Sequence, residues 1–188
     1  DIKNFPKKAH PMDVARTAVS IMGLEDKETK DNSAKANMRK IMRIFAKTPV
    51  ALAAFYRSRK GKKIISPKNN LSFSENFFYM CFGKVPNEDI VKAFDVSLIL
   101  YAEHSFNVST FTARTITSSL SDIHGAITGA IASLKGPLHG GANEEVMHMM
   151  NKIKKPENAL KWINNALDKK AVVMGFGHRV YTVSYTHL

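Results

Sequence analysis

Apolar residues recur at three- and four-residue spacing along most of this 188-residue chain. That period lines one face of an α-helix; a strand would need alternation. Met12 to Met22 shows it first, with Ala15, Ala18, Val19 and Met22 on one face and Gly23 as a stop. Ala34 to Lys47 predicts a second helix, striped by Met38, Ile41, Met42 and Phe45. Thr48-Pro49 reads as N-cap and first position of a third, which runs out near Gly61. A polar connection follows to Leu71. Ser74 then starts a short helix closed by Gly83, and Asn87 caps another with Val91, Phe94, Leu98 and Ala102 on its core face. Further helices are predicted over 109–119, 123–134, 143–153 and 157–167. The 123–134 segment is built from Gly125, Ala126, Gly129, Ala130 and Ala132, so it is expected to be central and closely packed. Only Ala171-Val172-Val173-Met174 has the look of a strand, and no internal repeat is present. The fold class is all-α.

The 44 % apolar content is ordinary for a folded domain. No apolar run reaches the roughly 18 residues that a membrane-spanning helix needs. The chain has one cysteine, which excludes an intrachain disulfide and suits a reducing compartment. Cys81 lies in Phe77-Phe78-Tyr79-Met80-Cys81-Phe82, so a buried structural thiol is expected there. The first residues lack a signal-peptide pattern and an initiator Met, which fits a chain that begins inside a longer protein.

A net charge of +12 favours an anionic partner: nucleic acid, an anionic membrane surface or a phosphorylated small molecule. The basic residues crowd before residue 70, above all in Arg57-Ser58-Arg59-Lys60-Gly61-Lys62-Lys63. No stacking aromatics are interleaved in a nucleic-acid pattern and no zinc-finger spacing occurs, so a solvated basic face is the simpler account.

Three histidines stand in special surroundings. His139 sits in Lys135-Gly136-Pro137-Leu138-His139-Gly140-Gly141-Ala142-Asn143-Glu144, with the helical spacing Val146, Met149, Met150, Ile153 just behind it. A histidine on a tight turn at a helix N-terminus is disfavoured as a cation by the helix dipole. Held neutral, it can donate a hydrogen bond to a developing oxyanion beside a carbonyl. His104 follows a long apolar helix in Tyr101-Ala102-Glu103-His104-Ser105, at a junction between helices. His178 lies in Gly175-Phe176-Gly177-His178-Arg179, where glycines admit a ligand close to the backbone and Arg179 adds a fixed positive charge. His10, His124, His148 and His187 have no such context and read as surface or satisfied core residues.

Other chemistries fit less well. No H-E-x-x-H or Cys/His pairing supports a metal site. Gly175-Phe176-Gly177 lacks the third glycine of a dinucleotide fingerprint, because Val180 stands there, and no βαβ unit surrounds it. The G-x-S-x-G turn of a serine hydrolase is absent.

With these stretches in view, the chain resembles the citrate synthase family, and most nearly its bacterial 2-methylcitrate synthases and short-type citrate synthases. The resemblance spans 9–181 and rests on 98–104 with 107–114, on 134–144, and on 174–181, with weaker support from His10-Pro11-Met12-Asp13-Val14 and Ser74-Glu75-Asn76-Phe77. It implies a condensation of acetyl-CoA or propionyl-CoA with oxaloacetate, giving citrate or 2-methylcitrate and CoA. His139 and His178 would be catalytic. His104, Asn107 and Arg179 would bind oxaloacetate, and Met174, Gly175, Phe176 and Gly177 would line the CoA arm. No metal and no cofactor beyond the CoA thioester substrate is implied. A cytoplasmic homodimer that binds neither nucleic acid nor membrane is the implied setting.

The same resemblance implies a chain truncated at both ends. Residues 1–140 would belong to a large helical domain and 141–181 would begin a small one, while 182–188 depart from the family pattern. The family's α-proton-abstracting aspartate falls beyond His178. Asp122 and Asp168 stand in the wrong places to replace it and read as capping or surface residues. This polypeptide alone is therefore expected to be inactive. The alternatives are a basic helical nucleic-acid-binding module or a non-catalytic interaction module.

Overall fold

The computed structural model describes residues 2–103 and 105–176, and all of its regular elements there are helices. The elements are α1 (Pro11–Glu25), α2 (Ala34–Arg59), α3 (Phe73–Phe82), α4 (Glu88–Tyr101), α5 (Val108–Thr117), α6 (Ile123–Leu134), α7 (Gly141–Ile153) and α8 (Ala159–Asp168). Short 3₁₀ turns precede α1 and α8. No strand occurs among the described residues. The strand expected at 171–174 is an irregular segment instead, with Val172 open to solvent and no partner strand to complete a ladder.

Polar side chains start most of the helices. His10 Nδ1 accepts the Met12 amide at 3.1 Å, with Pro11 as the first residue of α1. Ser33 caps α2, and Ser72 with Glu75 forms a capping box on α3. Asn87 and Asn107 cap α4 and α5. Asp122 accepts the amides of His124 and Gly125 at 2.9 and 3.0 Å, so it caps α6, and Asp168 closes α8.

Three expectations are corrected. First, α1 does not stop at Gly23 but runs to Glu25. A Cβ on Gly23 would fall 2.9 Å from the His124 Cβ, so this glycine serves close packing and not termination. Second, the helices expected to part at Thr48-Pro49 are one helix, with Pro49 inside it. Ala36, Lys40, Ile44, Ala51, Ala54 and Phe55 form a continuous buried face across the proline, and that packing overrides the local break. Third, the Met38–Phe45 stripe is not core: Met38, Met42 and Phe45 are about 60 % exposed. The buried side of α2 lies one residue step around, where it meets α1.

Residues up to Ser133 form one compact unit and those from Leu134 another. In the first, Val14, Ala15, Ala18 and Val19 of α1 meet Ala36 and Ile44 on α2. Farther along α2, Ala53 joins Met80 and Cys81 of α3 in a second cluster. Phe77 stacks on Phe94 of α4 at 5.6 Å. Burial pushes the Cys81 thiol up, as expected of a structural cysteine. The core face expected on α4 is only half-buried, and Leu98 is 37 % exposed. The small-residue helix α6 buries His124 and Ala126, and Gly129 lies against Ile116 of α5 with no room for a side chain.

Candidate active site

Backbone hydrogen bonds close the turn before α7. The Gly136 carbonyl accepts the amides of His139 at 2.9 Å and Gly141 at 3.1 Å, while Ala142 and Asn143 donate to His139 and Gly140. His139 therefore lies two residues before the first helical residue, half-buried. The first amides of α7 are engaged by the turn, so the helix start is not an open anion cradle. What the turn fixes is the backbone position of His139. A Cβ on Gly140 would sit 2.6 Å from the Leu134 carbonyl oxygen, and one on Gly141 would sit 2.9 Å from the Gly136 oxygen. Neither contact tolerates a side chain, so the glycines are dictated by how closely the chain folds back on itself.

The same compact unit carries the 174–176 turn. Gly175 has φ +91, a conformation open to glycine, and its Cα approaches Val146 on α7 closely enough that a Cβ would lie 3.4 Å from a methyl carbon. Gly175 thus lies beside the second turn of the helix that starts behind His139. Phe176 is 73 % exposed. Gly177, His178 and Arg179 lie outside the described residues, as does His104.

Asn107 belongs to the other unit. Its Oδ1 accepts the Thr110 amide at 2.9 Å and the Ser109 hydroxyl at 2.7 Å, which fixes the start of α5. The candidate site residues are therefore seen as two local constellations: His139 with the 174–176 turn, and Asn107 at the α5 cap. Among the described residues, no cluster of three or more His, Cys, Asp or Glu side chains could hold a metal ion.

A polar cluster that sequence reasoning missed lies at the end of α1. Arg43 donates to both Asp26 oxygens at 2.8 and 3.0 Å and to Glu28 at 2.7 Å, and Arg39 also pairs with Glu28. Burial pushes the Asp26 carboxyl up, but the Arg43 hydrogen bond, the Glu28 amide and nearby positive charge outweigh it and leave it below the usual range. Lys40 is fully buried, with Nζ on the Asp31 carbonyl oxygen at 2.6 Å. His124, read as surface or satisfied core, is buried with a ring nitrogen that makes no hydrogen bond. The Arg39/Arg43 pair, one turn apart on a helix face, was the available signal. Its acidic partners are in a loop whose path the sequence does not reveal.

The family model for the citrate synthase C-terminal domain matches residues 1–184. A 2-methylcitrate synthase from Corynebacterium glutamicum is 57 % identical over 96 % of this chain and 48 % of its own length. A citrate synthase from Mycolicibacterium smegmatis is 51 % identical over 96 % of this chain and 48 % of its own length. A citrate synthase structure from Thermoplasma acidophilum, a ternary complex with carboxymethyl coenzyme A and oxaloacetate, superposes with a TM-score of 0.82. It is 33 % identical, covering 97 % of this chain and 48 % of that one. The nucleic-acid and interaction-module alternatives find no support among these relatives. The chain spans about half the length of the curated relatives it matches. With a family model matching nearly the whole chain and relatives more than half identical to it, the chain belongs to the citrate synthase family.

Proposed function

We propose that this chain is part of an acyltransferase that condenses acetyl-CoA or propionyl-CoA with oxaloacetate, yielding citrate or 2-methylcitrate. The observation that carries this reading is the His139 turn, whose glycines bring the His139 backbone to the start of α7. It is supported by the relative whose structure holds a CoA analogue and oxaloacetate together.

In the proposed reaction, His139 donates a hydrogen bond to the thioester oxygen as the α-proton leaves. A carboxylate outside residues 1–188 takes that proton. The enol carbon bonds to the ketone carbon of oxaloacetate, and the ketone oxygen takes a proton from His178. Water then cleaves the thioester and CoA leaves as a thiol. His104, Asn107 and Arg179 hold oxaloacetate, and Met174 to Gly177 lie along the CoA arm. The histidine contributions are of the oxyanion-stabilising kind, about 10²–10³ in rate for one donor. The reaction needs no metal and no cofactor beyond the thioester. The setting we propose is a cytoplasmic homodimer that binds neither nucleic acid nor membrane; exposed Ile99, Leu100 and Phe111 support subunit association. No helix among the described residues is long and apolar enough to cross a membrane.

The test is release of CoA thiol with oxaloacetate and either acetyl-CoA or propionyl-CoA. It is run on this chain and on the chain extended to the length of its relatives. The extended protein is expected to turn over one or both thioesters, and this chain alone neither. No turnover by the folded, extended protein would overturn the assignment. The rate ratio between the two thioesters assigns the acyl preference, since one methyl group contributes about 1–3 kcal/mol in a pocket.

A further inference from the structure

His124 lies at the first turn of α6 with 2 % of its side chain exposed. Its Nε2 is 3.6 Å from Asp26 Oδ2, and its Nδ1 is 3.6 Å from Asp122 Oδ1. Both distances exceed a good hydrogen bond, and Nδ1 has no hydrogen-bond partner. The ring rests directly on the Gly23 backbone of α1.

A histidine between two carboxylates would ordinarily welcome a proton. Here both carboxylates already accept other hydrogen bonds, and only Asp26 is paired with a cation. Asp26 is held by the Arg43 guanidinium and by the Glu28 amide, and Asp122 by two amides of its own helix. Lys40 and Arg43 on α2 add positive charge facing the ring, while Glu28 is paired with Arg39 and Arg43. A proton on His124 would therefore create a buried cation with neither carboxylate at hydrogen-bond distance and with Lys40 and Arg43 opposing it, and such a charge is costly. Burial pushes the His124 imidazole down, and the two carboxylates only partly offset this. A cavity of about 370 Å³, lined by Met22, Glu25, Lys27, Lys47 and the ring itself, offers room for water to deliver the proton.

We infer that His124 is a proton-operated latch: the neutral imidazole seats the start of α6 on the end of α1, and protonation loosens that seat. A hydrogen bond from Asn32 to the Leu120 carbonyl oxygen, 3.1 Å, is the neighbouring tie across the same junction. In sequence, α6 leads straight to the His139 turn. The inference does not rest on the proposed condensation, so either can fail alone.

The sign follows from linkage. A histidine with a depressed folded value stays neutral in the folded chain while the unfolded chain takes up a proton. Seating is complete above the ordinary value of 6.5 and is lost as pH falls from there to the folded value. One proton changes the opening equilibrium by at most about tenfold per pH unit. The Asp26 effect falls below 3.8, in a separate window.

The experiment follows the His124 Cε1 resonance and the exchange protection of the Gly125 and Ala126 amides from pH 7.5 to 5, in the chain and in His124→Gln. We expect His124 to titrate below 6.5, and protection in the first turn of α6 to fall several-fold on acidification in the parent only. Titration at or above 6.5, or an equal fall in the variant, would overturn the latch. Should His124→Gln not fold, the titration of the parent histidine decides alone.

Discussion

Gly140 and Gly141 sit so close to the chain behind them that a methyl group does not fit. The obstacle is backbone oxygen, which cannot rotate aside as a side-chain tip would. Gly140→Ala should destabilise by about 1–3 kcal/mol, the usual range for overpacking, and should displace His139 as well. Urea unfolding reads the first effect and histidine chemical shifts the second. Gly61→Ala is the control: its φ of +66 strains a side chain, but nothing lies within 4 Å of its Cβ position. It should cost about 1–2 kcal/mol for the left-handed backbone alone and leave His139 unmoved. The tight turn around His139 was legible in the sequence because three glycines and a proline stand around it. The character of His124 was not legible. Its burial depends on Gly23 and Asp26, about a hundred positions away, and no local pattern marks such a contact.

At the scale of the element, helix starts were legible where a side chain caps its own helix, as at Asn87 and the Asp122 turn. Asn107 caps α5 and is also proposed to hold oxaloacetate. Its side chain caps α5, so Asn107→Ala should lose about 1 kcal/mol of stability with no ligand present. Comparing thermal unfolding with and without oxaloacetate separates that effect from any loss of binding. Helix ends were less legible, because packing decided them. Pro49 lies inside α2, where a proline costs about 3 kcal/mol relative to alanine. Allowing about 1 kcal/mol for the stiffer unfolded chain, Pro49→Ala should stabilise by about 2 kcal/mol. A destabilised Pro49→Ala protein would contradict this reading. The Met38–Phe45 stripe marked a helix correctly but named the wrong face, since periodicity fixes phase and not which neighbour is present.

Across the molecule, acidic and basic residues that looked like background form the joint between α1, α2 and α6. Asp26 is held below the usual carboxylate range, so its contribution is present above pH 3.8 and fades as pH falls through the folded value. Arg43→Ala should lower the unfolding midpoint by more than Arg16→Ala, because Arg43 serves a carboxylate only 8 % exposed while Arg16 and Asp13 pair in the open. It should also flatten the acid limb of the stability curve. The all-α class was legible from the period of the apolar residues, and the family from three histidine motifs in order. The reaction is where these scales meet, and His139 is its most direct test. CoA-thiol release should be compared between the chain extended to the length of its relatives and its His139→Gln variant, with folding checked by circular dichroism. Our account predicts a fall of about 10²–10³ in turnover with the fold intact; turnover unchanged in a folded His139→Gln protein would contradict it.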